Sequence, residues 1–246
     1  MLTSPISSFF CPTRIHLGIG AHTQLASVLQ GYDCQRLFIA LDRALQGGDF
    51  YQRIEAILAE QNIATAVFTD IEADPSDTTV ERAFAVCRAH NATAILAVGG
   101  GSTMDVAKAV GILATNGGRI HDYEGIEKFS KPPLPLIAIP TTAGTGSEVS
   151  GSCVISDTTR HLKMSIRHAA LNPAAVAILD PLALVTMPGH VAAHSGLDAF
   201  VHAFEAYISR QSNLVSDALS LQAVELIAAN IRPFVADRSN LEAGLN

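Results

Sequence analysis

The sequence predicts an α/β fold in which a parallel sheet is followed by an all-helical region. Short apolar runs alternate with segments of helical spacing as far as Leu179, a pattern typical of βαβ units whose sheet is covered on both faces. One apolar run ends in three glycines before a helical pattern, and no strand pattern follows Leu179. We therefore expect one α/β domain over residues 1–184 and the start of a helical domain over 185–246.

Composition limits the functions that this chain can have. It has 246 residues, 48% of them hydrophobic, and a net charge of -7 without a basic run. A sizeable core is expected, and no nucleic-acid partner. We expect no apolar stretch of membrane-spanning length and no membrane partner. Four scattered cysteines without a CxxC pair predict free thiols in the cytoplasm: Cys11, Cys34, Cys87 and Cys153.

The individual elements follow from hydrophobic periodicity. Strands are predicted at 14–20, with a turn, and at 36–41, 64–69, 94–99, 134–139 and 175–179. Residues 154–160 and 162–166 are predicted to form a hairpin laid on that sheet. Helices are predicted at 21–29, 51–60, 76–90, 102–113, 191–209 and 212–231, the last with Ser212 as its N-cap.

The glycine turn is the first candidate binding element. Gly99, Gly100, Gly101 and Ser102 join a buried strand to a helix. Glycines allow close approach of a ligand, and the free N–H groups of a helix N-terminus favour an anion. We interpret the turn as a pyrophosphate site of a Rossmann-like domain, although three glycines alone are equally compatible with a turn that binds nothing.

Asp42 follows the strand at 36–41, where a carboxylate can accept hydrogen bonds from a ribose 2′-OH and repel a 2′-phosphate. Such a carboxylate would select NAD over NADP. The alternative is that Asp42 is a helix-capping or surface aspartate. Asp42 precedes the glycines by two βα units, so the arrangement is not the GxGxxG fingerprint.

Residues 140–148 form a second unusual loop after a buried strand, here called the hydroxyl loop. It contains Thr141, Thr142, Thr145 and Ser147 together with two glycines. Its N–H and hydroxyl donors suit a phosphate or ribose, and the alternative is a polar turn with capping side chains.

A third group lies in the helical region. Asp198 and His202 are four residues apart on one helix face, and His194 extends that face by one turn. Polar groups in an apolar helix need partners. A divalent metal with oxygen and nitrogen ligands is one answer, and an Asp–His pair within the helical bundle is the other.

Together these motifs resemble the iron-containing, or group III, alcohol dehydrogenases. The matching residues are Gly99 to Ser102 with Asp105, the stretch Asp122-Tyr123-Glu124-Gly125, the hydroxyl loop, Asp180-Pro181, and Gly196-Leu197-Asp198-Ala199 with His202. The resemblance implies NAD binding, with NADP less favoured, and a divalent metal, Fe(II) or Zn, held by Asp198 and His202. It implies cofactor contacts from Asp42, Gly99, Gly100, Gly101, Ser102, Asp105, Thr141, Thr142, Thr145 and Lys163.

The implied activity is metal-dependent hydride transfer between a primary alcohol, diol or hydroxy acid and nicotinamide, or reduction of the aldehyde, in a homodimer or larger assembly. His194 is a candidate catalytic participant, and a core or surface histidine is the alternative. The family's two further metal-binding histidines have no counterpart after His202, so a truncated chain is expected. The alternatives are a non-catalytic NAD-binding module and a zinc-dependent relative of dehydroquinate synthase or glycerol-phosphate dehydrogenase.

Overall fold

The computed structural model describes residues 6–246. Its strands are β1 (Arg14–Leu17), β2 (Arg36–Leu41), β3 (Ala64–Phe68), β4 (Ala94–Gly99), β5 (Gly125–Ile126), β6 (Leu136–Pro140), β7 (Ser152–Asp157), β8 (Leu162–Arg167) and β9 (Val176–Leu179). Its α-helices are α1 (Leu25–Gly31), α2 (Asp49–Glu60), α3 (Asp77–Ala89), α4 (Gly101–Asn116), α5 (Gly189–Ile208), α6 (Leu214–Ala236) and α7 (Leu241–Leu245).

The main sheet has six strands in the order β1-β9-β6-β4-β2-β3, and every neighbouring pair is parallel. This confirms the predicted α/β class with its Rossmann-like parallel sheet. The chain runs outward from β2 to β3, then crosses back so that β4, β6 and β9 extend the sheet in the other direction. The strand order therefore reverses between β2 and β4, which is where open α/β sheets bind ligands.

Both faces of the main sheet are buried, as the continuous apolar runs predict. Leu96 of β4 packs with Leu29 of α1 and Ile54 of α2 in one apolar cluster. Its neighbour Ile95 packs with Met104 of α4 in a second cluster on the opposite face. Successive strand residues point to opposite faces, so one apolar strand supplies both layers.

The predicted hairpin exists, but its predicted position is wrong. Strands β7 and β8 pair antiparallel and form a separate three-stranded sheet with β5. Ile155 and Met164 pack against Ile112 of α4 and Val80 of α3. The faces of the main sheet are already covered by helices, so the apolar face of the hairpin is buried against those helices instead.

Helices α5 and α6 follow the last strand and pack along each other. Helix α6 begins after Asn213 rather than Ser212, which corrects the predicted N-cap. The Asn213 Oδ1 atom accepts hydrogen bonds from the N–H groups of Val215, at 3.0 Å, and Ser216, at 3.1 Å. The division at residues 184 and 185 stays a prediction.

Helix α6 is long and apolar enough to cross a membrane by length and composition, with a mean hydropathy of 1.3 in its most apolar window. The sequence-based statement that no stretch reaches this length is therefore wrong. Core helices of soluble proteins pass the same test but are mostly buried, whereas only 6% of this window is buried where α6 packs along α5.

Candidate cofactor and metal site

The candidate site lies where β2, β4 and β6 end side by side at one edge of the main sheet. The Asp42 N–H donates to the Val98 carbonyl at 2.9 Å, and the Thr141 N–H donates to the Gly99 carbonyl at 3.0 Å. The strand order places the glycine turn in the middle, with Asp42 on one side and the hydroxyl loop on the other. Three segments far apart in sequence are thus neighbours because parallel strands share a carboxyl edge.

Close packing explains the glycines of the turn. A Cβ added at Gly99 would lie 2.3 Å from the Thr103 Oγ1 atom, and one at Gly101 would lie 3.1 Å from the Thr145 Cγ2 atom. Gly100 is the N-cap of α4 and provides no side-chain cap. The N-terminal N–H groups of this 16-residue helix therefore suit an anionic ligand.

The hydroxyl loop also touches the helical region. A Cβ added at Gly144 would lie 2.6 Å from the Ser195 carbonyl oxygen in α5. Only a residue without a side chain fits this contact. The loop consequently lies between α4, which begins at the glycine turn, and α5, which contains the predicted metal ligands.

These segments line an open cavity of about 600 Å³. Its walls come from the α/β region on one side and from α5 on the other. Eight of the predicted site residues line it: Asp42, Gly100, Gly101, Ser102, Thr142, Thr145, His194 and Asp198. The structure therefore brings the three sequence motifs to one cavity, although their individual roles stay predictions.

The remaining predicted residues lie outside this lining: Gly99, Asp105, Thr141, Lys163 and His202. Lys163 on β8 forms an ion pair with Asp74 at 2.7 Å, and both side chains are exposed. Asp105 accepts hydrogen bonds from Ser147 Oγ at 3.1 Å and from the Val154 N–H at 3.0 Å. These contacts give Asp105 a structural role, and its predicted cofactor contact stays untested.

Asp198 and His202 share one face of α5, as their spacing predicts. The Asp198 Oδ1 and His202 Nε2 atoms lie 3.8 Å apart, and both side chains are about half exposed. Asp198 and His194 reach the cavity, and the rings of His194 and His190 are 6.3 Å apart between centroids. An oxygen and a nitrogen donor at this separation can bind one divalent cation.

Glu72 also lines the cavity and was missed by sequence reasoning. Its carboxylate accepts hydrogen bonds from Ser76 and Thr79 at 2.7–2.8 Å. Burial would raise the pKa of Glu72, but the hydrogen bonds from Ser76 and Thr79 outweigh burial and lower it to about 2. Glu72 follows β3, which ends at the same edge of the sheet, and this position could have identified it from the sequence.

A second group of ligand-type side chains lies outside the cavity lining. Ligand atoms of Asp77, His121 and Asp157 all lie within 4.8 Å of one another, a geometry that could hold a metal ion. His121 Nε2 is 3.0 Å from Asp77 Oδ2 and 3.4 Å from Asp157 Oδ2. Arg160 also pairs with Asp157, so a cation already neutralises that carboxylate. The group links the start of α3 to the β7–β8 hairpin.

A parallel sheet with a glycine turn and an acidic strand end at its topological switch is typical of dinucleotide-binding α/β proteins, here with a helical region attached. Residues 12–181 match the family described as iron-containing alcohol dehydrogenase, and residues 192–246 match its C-terminal domain. The chain belongs to the iron-containing alcohol dehydrogenase family. This membership favours the predicted assignment over a dehydroquinate synthase relative.

Several relatives match nearly the whole chain. NAD-dependent methanol dehydrogenase of Bacillus methanolicus is 36% identical over 97% of this chain and 62% of its own length. For 1,3-propanediol dehydrogenase of Klebsiella pneumoniae the identity is 39%, over 98% of this chain and 61% of the relative. The chain thus spans about six tenths of the length of these relatives.

Solved structures show the same fold. A 1,3-propanediol oxidoreductase superposes with a TM-score of 0.94 at 36% identity, covering 98% of this chain and 63% of that structure. Sulfoacetaldehyde reductase from Bifidobacterium kashiwanohense, in complex with NAD+, gives a TM-score of 0.89 at 28% identity, covering 98% and 64%.

Proposed function

We propose that this chain provides the NAD-binding part, and part of the metal site, of an iron-type alcohol dehydrogenase. The reaction moves a hydride between a primary alcohol, diol or hydroxy acid and nicotinamide, or reduces the corresponding aldehyde. The observation that carries the proposal is the single cavity lined by Asp42, the glycine turn, the hydroxyl loop and Asp198. The activities named for the methanol and propanediol dehydrogenases support it.

The strand order suggests how NAD would lie in the cavity. Asp42 ends β2 and the hydroxyl loop follows β6, on opposite sides of β4. With the pyrophosphate at the N-terminus of α4, the adenosine ribose would lie at Asp42 and the nicotinamide half would extend towards the hydroxyl loop and α5. Asp42 and Glu72 place two carboxylates in the lining, which disfavours the extra phosphate of NADP.

Asp198 and His202 fit a divalent metal, Fe(II) or Zn, because they offer oxygen and nitrogen donors from one helix face. Two protein ligands are fewer than the three or four of typical protein zinc sites, so further ligands are required. When bound, such a metal supplies Lewis-acid polarisation of an alcohol or carbonyl oxygen. The cavity would hold the nicotinamide next to this face of α5, and His194, which also lines the cavity, is a candidate for proton transfer.

A homodimer or larger assembly in the cytoplasm completes the proposal. Strand β1 is a sheet edge, and its Ile15 and Leu17 side chains are exposed, which makes it a candidate pairing surface. All four cysteines are free, in keeping with a reducing compartment. Light scattering of the purified protein measures the assembly directly.

The proposal is tested by binding and turnover in three proteins: wild type, Asp198→Ala and Asp237→Ala. Asp237 is exposed and lies outside the cavity lining, so its variant is the matched control. We expect Asp198→Ala to lose Fe(II) binding and any alcohol-dependent NADH formation, while the Kd for NADH stays within about twofold because the cofactor contacts lie elsewhere.

Loss of NADH binding in Asp198→Ala, with Asp237→Ala unaffected, would contradict the division of roles. NADH binding without metal binding or turnover in the wild type would instead favour the non-catalytic NAD-binding module.

A further inference from the structure

Lys108 is a buried charge with no assigned role. It lies two turns into α4, and only 2% of its surface is exposed. Lysine normally keeps its ammonium group in water, because burying an unpaired charge is costly. Burial lowers the pKa of Lys108, and the nearby Cys153, Asp105 and Glu148 oppose that shift. The contacts of the ammonium group therefore have to offset its lost hydration.

Those contacts all go to the end of the hydroxyl loop and the residues just after it. The Lys108 Nζ atom donates to the carbonyls of Ser152 at 2.7 Å and Ser150 at 2.9 Å. It also lies 3.2 Å from the hydroxyls of Ser147 and Ser150. The three N–H donors of one ammonium group thus face four acceptors within six residues of backbone, so at least one donor is shared between two acceptors.

Asp105, one turn earlier on α4, holds the same segment from the other side. It accepts from the hydroxyl of Ser147 and from the N–H of Val154. Ser147 consequently bridges the carboxylate and the ammonium, and it is only 6% exposed. Hydrogen bonds to charged groups in a buried setting are stronger than neutral ones.

The start of the hydroxyl loop is attached independently, through the Thr141 N–H and the Gly99 carbonyl. Between the two attachments, Thr142 and Thr145 lie against Gly100 and Gly101 and line the cavity. The loop is therefore fastened to the β4–α4 unit at both ends, and its exposed middle faces the cavity.

We propose that Lys108 is a positioning residue that locks the hydroxyl loop to α4, so that the glycine turn and the loop form one preorganised surface for the nicotinamide half of the cofactor. The identity of the ligand rests on the proposed function, whereas the locking of the loop does not. Lys108 itself lies outside the cavity lining and acts through Ser147, Ser150 and Ser152.

The test compares Lys108→Met with Ser152→Ala as the matched control. The Ser152 hydroxyl is 3.4 Å from the Ser165 hydroxyl, and its carbonyl, which accepts from Lys108, is kept in the variant. Ser147→Ala is a milder second variant that removes the bridge between Lys108 and Asp105, and it decides the question if Lys108→Met does not fold.

Two readouts are measured on each protein. Amide hydrogen exchange over residues 140–150 reports the loop without any ligand. Binding of NADH and of 5′-AMP reports the site, because 5′-AMP lacks the nicotinamide half. We expect Lys108→Met to accelerate exchange in this segment and to raise the Kd for NADH about tenfold, the effect of one lost charge-assisted hydrogen bond, with the Kd for 5′-AMP nearly unchanged.

Ser147→Ala should also accelerate exchange over residues 140–150 and raise the Kd for NADH, but by less than Lys108→Met does. Ser152→Ala should match the wild type in both measurements. Unchanged exchange over residues 140–150 in Lys108→Met would overturn the proposal. So would equal loss of NADH and 5′-AMP binding with faster exchange throughout the protein, which is the result expected of a purely structural lysine. If the wild type binds neither ligand, the proposed function fails, and the exchange comparison still decides the role of Lys108.

Discussion

Leu96 and Leu197 show how differently the two parts of this chain bury the same side chain. Leu96, in the central strand β4, is 0% exposed, whereas Leu197, in α5, is 56% exposed. The difference extends to their surroundings, since Phe204 and Leu214 are also exposed in the helical region. The α/β part therefore has a closed core, while α5 and α6 have apolar faces that the described residues leave uncovered. We expect stability to depend on the first part and the cavity to depend on both.

The largest expected effect tests this contrast directly. Leu96→Ala should lower the free energy of unfolding by about 2–5 kcal/mol, because it leaves a cavity in a close-packed core. Leu197→Ala makes the same chemical change at an exposed position and should stay within about 0.5 kcal/mol. Urea denaturation of both variants gives the comparison. Equal losses would mean that the helical face is packed as tightly as the sheet.

A second variant tests the junction between the two parts. Gly144→Ala places a Cβ against the Ser195 carbonyl of α5, so the loop and the helix have to separate. We expect a loss of about 1–3 kcal/mol, typical of overpacking, together with weaker NADH binding. Gly31→Ala is the control, because a Cβ there has no atom within 4 Å. A Gly144→Ala protein as stable as the control would show that this contact is not maintained in solution.

Asp180 links the end of β9 to the turn that follows β1, within the α/β part, and makes the stability of that part depend on pH. It follows β9 and accepts hydrogen bonds from Gly20, His22 and Leu182. Burial would raise the pKa of Asp180, but hydrogen bonds from His22 and the backbone outweigh burial and lower it. A pKa that is lower in the folded state stabilises the folded protein at pH values above the unfolded-state pKa of about 3.9. This stabilisation is lost as the pH falls through the folded-state pKa.

We therefore expect Asp180→Asn to lower the free energy of unfolding by about 1–3 kcal/mol near neutral pH, with the difference from wild type shrinking below about pH 4. Thermal or urea denaturation between pH 3 and 7 measures it. Glu81→Gln changes an exposed carboxylate and should have a smaller effect. A difference that grows as the solution becomes more acidic would contradict the assigned sign.

Much of the fold and part of the site were predictable from local patterns. The strand β2 (Arg36–Leu41) agrees with the strand predicted at 36–41, and helix α3 (Asp77–Ala89) agrees with the helix predicted at 76–90. Asp42 and Gly100 line one cavity because the carboxyl ends of parallel strands meet, a rule that needs no tertiary detail. The same rule applied to the segment after β3 would have found Glu72.

Other features depend on contacts between distant segments. The position of the hairpin depends on which apolar surface was still free, and the strand pattern contains no such information. Lys108 reads as an ordinary polar residue in an apolar helix, because its partners are 39 to 44 residues away. The Lys163–Asp74 pair likewise joins distant segments.

The contact between Gly144 and Ser195 has a thermodynamic consequence. A ligand that binds only the folded protein stabilises it in proportion to ln(1 + [L]/Kd), about 2.7 kcal/mol at a hundred times Kd. The cavity wall includes both the hydroxyl loop and α5. The bound ligand therefore stabilises the contact between the α/β part and α5 as well as the α/β part itself. A nucleotide bound on the α/β side would therefore disfavour the opening of α5. Any factor by which it tightens metal binding at α5 is also the factor by which the metal tightens nucleotide binding, since coupling between two binding sites is reciprocal.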